Sequence, residues 1–143
     1  MAGKSDALEN DLLKLIFNAT AIANIADDAS SSPLTNLYVS LHTADPGDAG
    51  NQTSSETAYT GYSRVAVART SGGWTITGNS VSPASSIVFG ECTADPATIT
   101  HVGIGTASSG AGKLLYAGAV SPTISVLVGT IPRLKTTSTI TED

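Results

Sequence analysis

The chain has 143 residues, room for one domain with a real core but hardly for two. Charged residues make up 13% against 41% apolar, Ser and Thr fill about a quarter of the chain, and the formal net charge is −5. The basic residues (Lys4, Lys14, Arg64, Arg69, Lys113, Arg133, Lys135) are scattered, which excludes a phosphate-tracking patch and a nucleic-acid partner; a lone Cys92 excludes an intrachain disulfide; and no run is long enough to span a membrane.

Residues 5–26, SDALENDLLKLIFNATAIANIA, are predicted as the one helix. Ser5 or Asp6 can cap it, and Asp6, Glu9 and Asp11 suit its N-terminal end. Leu8, Leu12, Leu15, Ile16, Ala19, Ile22 and Ala23 recur at helical spacing and give one apolar face, to be buried on the chain's own sheet or on a neighbour. The N-terminus lacks the basic-then-apolar pattern of a secretion signal, so the chain is expected to fold in a cytoplasm. DDASSSP at 27–33 ends the helix.

From Leu34 the chain reads as β. NLYVSLHT (36–43) alternates Leu37, Val39 and Leu41 with Tyr38, Ser40 and His42, and YSRVAVART (62–70) alternates again after a long polar loop at 45–61. WTIT (74–77), SIVF (86–89), ATITHVGIGT (97–106), KLLYAGAV (113–120) and TISVLVGT (123–130) add strands, GNSVSPAS (78–85) reads as a link, and 133–143 is weakly strand-like. Seven or eight short strands between Gly, Pro and Ser turns predict a mainly β fold: a single-domain antiparallel β-sandwich, jelly-roll-like, or a partly closed barrel, with one N-terminal α-helix. The expected organisation is 1–33 as helix and linker and 34–143 as the sandwich.

Motifs for chemistry fail one by one. Asp45 and Asp48 lack the alternating ligands and closing Glu of a calcium loop. His42, Cys92 and His101 have no zinc-like spacing. In GIGTASSGAGKL (103–114) a P-loop would need Gly where Ala107 stands and Ser or Thr where Leu114 stands, so Thr106–Gly112 reads as a hairpin connection. No nucleophile elbow or carboxylate pair is legible, so no enzyme, cofactor or metal is expected. The tetrapeptide Thr-Ala-Asp-Pro occurs at 43–46 and 93–96 with unlike flanks, and Asp-Pro suits the two ends of strands.

Three stretches carry a resemblance. Leu41, His42, Thr43, Asp45 and Pro46 form an LHTxDP element; Gly61, Tyr62 and Arg64 a GYxR element; Ile99, Thr100, His101, Gly103 and Ile104 an ITHxGI element, followed by Leu114, Leu115 and Gly118. Over residues 36–120 this pattern resembles a family of small tailed-bacteriophage structural proteins, often labelled tail-fibre-like; where that family often has an aromatic after Gly-Ile, this chain has Gly105. The resemblance implies a virion part, with His42, Asp45, Pro46, Tyr62, Arg64, His101 and Gly103 as scaffold residues. A shaft needs a long repeat, and none is legible here. The expectation is therefore a head decoration (cement) protein bridging major capsid subunits, with a tail or tail-fibre-associated part in host contact as the alternative. The expected partners are the major capsid protein or other virion proteins and further copies of the chain. The candidate contact residues are Leu8, Leu12, Leu15, Ile16 and Ile22 on the helix and Asp45, Asp48 and Tyr59 on the loop.

Overall fold

A computed structural model describes residues 3–18, 20–26 and 34–142, apart from the side chains of 13–16. A short strand, β1 (Gly3–Lys4), leads into helix α1 (Asp6–Asn18). Ser5 is the cap: its Oγ accepts the Leu8 N–H at 3.3 Å, its carbonyl accepts the Glu9 N–H, and its hydroxyl donates to the Leu114 carbonyl at 2.5 Å. Asp6 and Glu9 in the first turn complement the helix dipole. The helix is shorter than the predicted 5–26 run. Beyond it, Ile22 and Ala26 pair across a tight turn in which Asn24 takes a φ of 65°. Asn18, Thr20 and Asn24 compete for backbone hydrogen bonds and favour turns over helix interiors. The apolar spacing ran on because Ile22 is buried within that turn.

The remaining strands are β2 (Asn36–His42), β3 (Val65–Ala68), β4 (Trp74–Thr77), β5 (Ser80–Pro83), β6 (Ile87–Val88), β7 (Ala97–Gly105), β8 (Leu114–Val126), β9 (Arg133–Leu134) and β10 (Ile140–Thr141). One sheet has the order β1-β8-β7-β2-β3; two smaller ones, β10-β5-β4 and β6-β9, make up the rest, and every pairing is antiparallel. The chain is thus mainly β, a single-domain antiparallel β-sandwich with one α-helix among the described residues. Val39, Leu41, Ile99, Ile104 and Val126 of the large sheet meet Ile87, Phe89, Cys92 and Leu134 in the core, and Trp74 and Ile140 pack at its edge.

Two strand boundaries differ from expectation for local reasons. β5 lies in the stretch read as a link, because Gly78-Asn79 is a two-residue hairpin turn, with Gly78 at a φ of 62°, that returns Ser80–Pro83 against β4. The strands expected at 113–120 and 123–130 are one strand, β8. Ser121-Pro122, a cis peptide, falls in an irregularity where residues 120–123 stand against Thr100 between the pairs His101↔Ala119 and Ile99↔Ile124. Proline in a strand is tolerated at such a bulge, where no ladder bond needs its missing N–H.

Replacing Ser5 by Ala removes both the helix cap and the partner of the Leu114 carbonyl. The urea midpoint is expected to fall by an equivalent of about 1–2 kcal/mol. An unchanged midpoint would mean that the cap contributes nothing.

Candidate functional site

Alternation along β2 puts Ser40 and His42 on the face opposite Leu37, Val39 and Leu41, and both are fully buried. The loop that follows β2 folds back over that face. β3 pairs with β2 only as far as Val39↔Val65, so beyond it the chain supplies other partners. The Leu41 N–H donates to the Tyr62 hydroxyl at 3.1 Å, the Thr57 N–H donates to the Leu41 carbonyl, and the Thr43 N–H donates to the Ser55 carbonyl. Residues 55–57 thereby extend the ladder that β3 leaves.

Three side chains fasten this loop. His42 bonds through Nδ1 to the Ser54 carbonyl at 2.8 Å; a carbonyl only accepts, so Nδ1 carries the proton and Nε2 accepts from the Ser40 hydroxyl, also at 2.8 Å. The side-chain amide of Gln52, fully buried, pairs with the backbone of Ala107 as a strand would: Oε1 accepts the Ala107 N–H at 2.9 Å and Nε2 donates to its carbonyl at 3.2 Å. Arg64 forks onto Glu56, Nε to Oε1 and Nη2 to Oε2, both at 2.8 Å. Its remaining N–H groups donate to the carbonyls of Ala107 and Gly110, while the Tyr62 hydroxyl donates to Glu56 at 2.7 Å. Loop 45–61 and the β7–β8 connection are held as one body.

The glycines nearby are required by these side chains. A Cβ on Gly103 would lie 2.7 Å from His42 Nε2 and 2.8 Å from Ser40 Oγ, and one on Gly105 would lie 2.2 Å from Gln52 Cδ. Gly105 is the residue that admits Gln52.

Burial outweighs the Ser54 bond and the Glu56 carboxylate and holds His42 below its ordinary value. The bond to Glu56 raises Arg64, and burial pushes the Tyr62 hydroxyl upward. The Arg64 and Glu56 side chains are only 3% and 14% exposed, so this is a buried, bidentate pair.

The other residues singled out in the sequence are distributed as follows. Pro46 is buried, and Asp45 is exposed and accepts the Gly47 N–H in its own turn. His101 stands opposite His42 across β2 and β7 and bonds to Thr100 Oγ1. Both Thr-Ala-Asp-Pro copies flank strands, one after β2 and one before β7, with Asp95 accepting from Thr60. Leu8, Ile22 and Tyr59 are buried within the chain, Leu12 is half-buried, Asp48 is exposed, and the side chains of Leu15 and Ile16 lie outside the described residues. Asp45, Asp48, Lys4 and His101 line a polar cavity of about 320 Å³. Among the described residues no His, Cys, Asp or Glu group of three could hold a metal, and no helix is long and apolar enough to cross a membrane. Sequence reasoning missed Ser40, Gln52 and Glu56. A glutamine and a serine carry no local signal; Glu56 had one, in the only arginine of the adjoining GYxR element.

Most buried polar groups of this region hold one another or the backbone: Ser40 and His42 are both fully buried, with His42 Nδ1 engaged by the Ser54 carbonyl, while the buried Thr57 Oγ1 has no partner among the described residues. These contacts fix the loop in place, and the fold is that of a mainly β sandwich. A family profile described as podophage GP4 fiber I protein gp80 matches residues 3–141, nearly the whole chain. The chain belongs to that family, and so to the structural proteins of phage virions. No curated protein matches it.

Breaking the buried pair should be costly. Arg64→Ala leaves Glu56 uncompensated and is expected to lose about 3–5 kcal/mol in chemical denaturation, and Arg64→Lys, which lacks the fork, should recover less than half of that. Because the folded chain binds a His42 proton less readily than the unfolded chain does, its contribution to stability is complete above pH about 6.5 and declines as pH falls below it. Unfolding free energies measured from pH 7.5 to 5 should show this slope, and His42→Gln should lack that part of it.

Proposed function

We propose that the protein is a fibre-associated structural block of the virion, a compact joint between other virion proteins. The observation that carries this is the match of residues 3–141 to a family described as a fibre protein. It favours the tail- or fibre-associated reading over the head-decoration role, in which the partner would be the major capsid protein. The surface agrees with a docking role. It is rich in Ser and Thr and low in charge, and such surfaces desolvate more cheaply against a partner than Lys- or Glu-rich ones. Asp45 and Asp48 on the covering loop, and Phe17 (77% exposed) near the end of α1, are contacts available to neighbours. We take residues 1–33 as a segment attached to the sandwich body at 34–143.

Immunogold labelling of intact particles tests the assignment. Gold confined to the tail and its fibres is expected. Uniform gold over the head would return the reading to capsid decoration.

A further inference from the structure

We propose that the β4–β5–β10 sheet is a hinged flap on the large sheet, tethered by the chain at one end and held shut at the other by the Glu142 carboxylate. The inference concerns the isolated chain and does not depend on where in the particle it sits.

The chain connections of this sheet lie at one end. β3 feeds β4 at Trp74, β5 leaves at Pro83, and the segment after β9 enters β10 at Ile140. The antiparallel pairs Trp74↔Pro83 and Ile140↔Val81 group these points, and the Gly78-Asn79 turn and Glu142 lie at the opposite end. The link from β3 to β4 is a tight turn with two successive glycines. Thr70 accepts the N–H groups of Gly73 and Trp74 on its carbonyl, and a Cβ on Gly73 would lie 2.1 Å from the Ala68 carbonyl oxygen. Hinges are commonly a few residues of this kind at the end of an element.

Packing beneath the flap is thin. Pro83 is buried, Trp74 and Ile140 pack against the core, and the other residues of the three strands are half-buried or exposed, Ile76 at 75%. An apolar cleft of about 760 Å³ separates Leu37, Ile104 and Tyr116 of the large sheet from Trp74, Val81 and Ile140 of the small one. A unit with few buried apolar contacts is the part of a fold that opens first.

The joint at the far end is Glu142. Its N–H donates to the Asn79 carbonyl and its carbonyl accepts from Asn79 Nδ2 at 2.6 Å, which fixes it to the flap. Its carboxylate crosses to the large sheet, where Oε2 meets Lys4 Nζ at 2.6 Å and Oε1 accepts the Tyr116 hydroxyl at 2.5 Å. Lys4 and Tyr116 are register partners on β1 and β8, so one cross-strand pair receives the carboxylate. Lys4 and Tyr116 hold the Glu142 carboxyl below its ordinary value, and burial and the carboxylate push Tyr116 up to about 12, so the acceptor stays charged and the donor keeps its proton. The ion pair is partly in water, with side chains 29% and 44% exposed, and so is weak; the hydroxyl bond to a charged acceptor is the stronger half. Such a joint closes the flap without making closure permanent.

Hydrogen exchange read by mass spectrometry on the full chain tests this, with wild type, Glu142→Ala and Tyr116→Phe. In Glu142→Ala, peptides covering β4, β5 and β10 should exchange about tenfold faster, the effect of losing one bond to a charged group, while peptides covering β2 and β7 keep their wild-type rates. Tyr116→Phe keeps the ring and should speed the same peptides, to no more than that extent. Unchanged exchange in β4 and β5 overturns the proposal. So does acceleration confined to β10, which would be fraying of the chain end, and so does equal acceleration in β2 and β7, which would be opening of the whole sandwich. Should Glu142→Ala melt early, the outcomes for Tyr116→Phe decide in the same way.

Discussion

The forked contact between Arg64 and Glu56 is the constraint on which the rest of the sandwich depends. β2 is the central strand, and β3 abandons it halfway along. Without a substitute, the far half of β2 would expose unpaired backbone groups next to the core. Arg64 gathers the substitute. It draws in Glu56, through Glu56 the Tyr62 hydroxyl that serves Leu41, and through two carbonyls the connection between β7 and β8. Buried ion pairs of this kind add little net stability over apolar packing, but they are demanding in geometry. Their worth here lies in fixing where a loop of few apolar residues comes to rest.

That dependence accounts for what was legible beforehand. Leu37, Val39 and Leu41 declared a strand with a core face, and the Gly- and Pro-rich punctuation declared an all-β domain. What covers the opposite face of the same strand was not legible, because Ser40 and His42 are buried by a segment far more polar than any core. Period-two alternation reports side-chain chemistry and cannot say that a polar loop will return to cover a polar face. In the same way Ser121-Pro122 read as a break, since a bulge is set by the partner strand, and the apolar spacing past Asn18 read as helix because Ile22 is buried for a different reason. The motif residues His42, Tyr62, Arg64 and Gly103 were visible as a pattern. Their purpose became visible only with Gln52 and Glu56 beside them.

Membership in a fibre family and the compact sandwich are compatible once the molecule is viewed as a block and not a shaft. Most of the polar groups beneath loop 45–61 are engaged in holding that loop.

β8 has a further consequence. It runs for thirteen residues, and β7 is hydrogen-bonded along most of it. Tension that pulls β8 against β7 along the strand direction loads the ladder in shear, so the bonds on each side of the 120–123 irregularity must yield together. A pull across the strands would open the same ladder one bond at a time. The β7–β8 hairpin is therefore expected to resist sliding of its strands more than peeling at its edges.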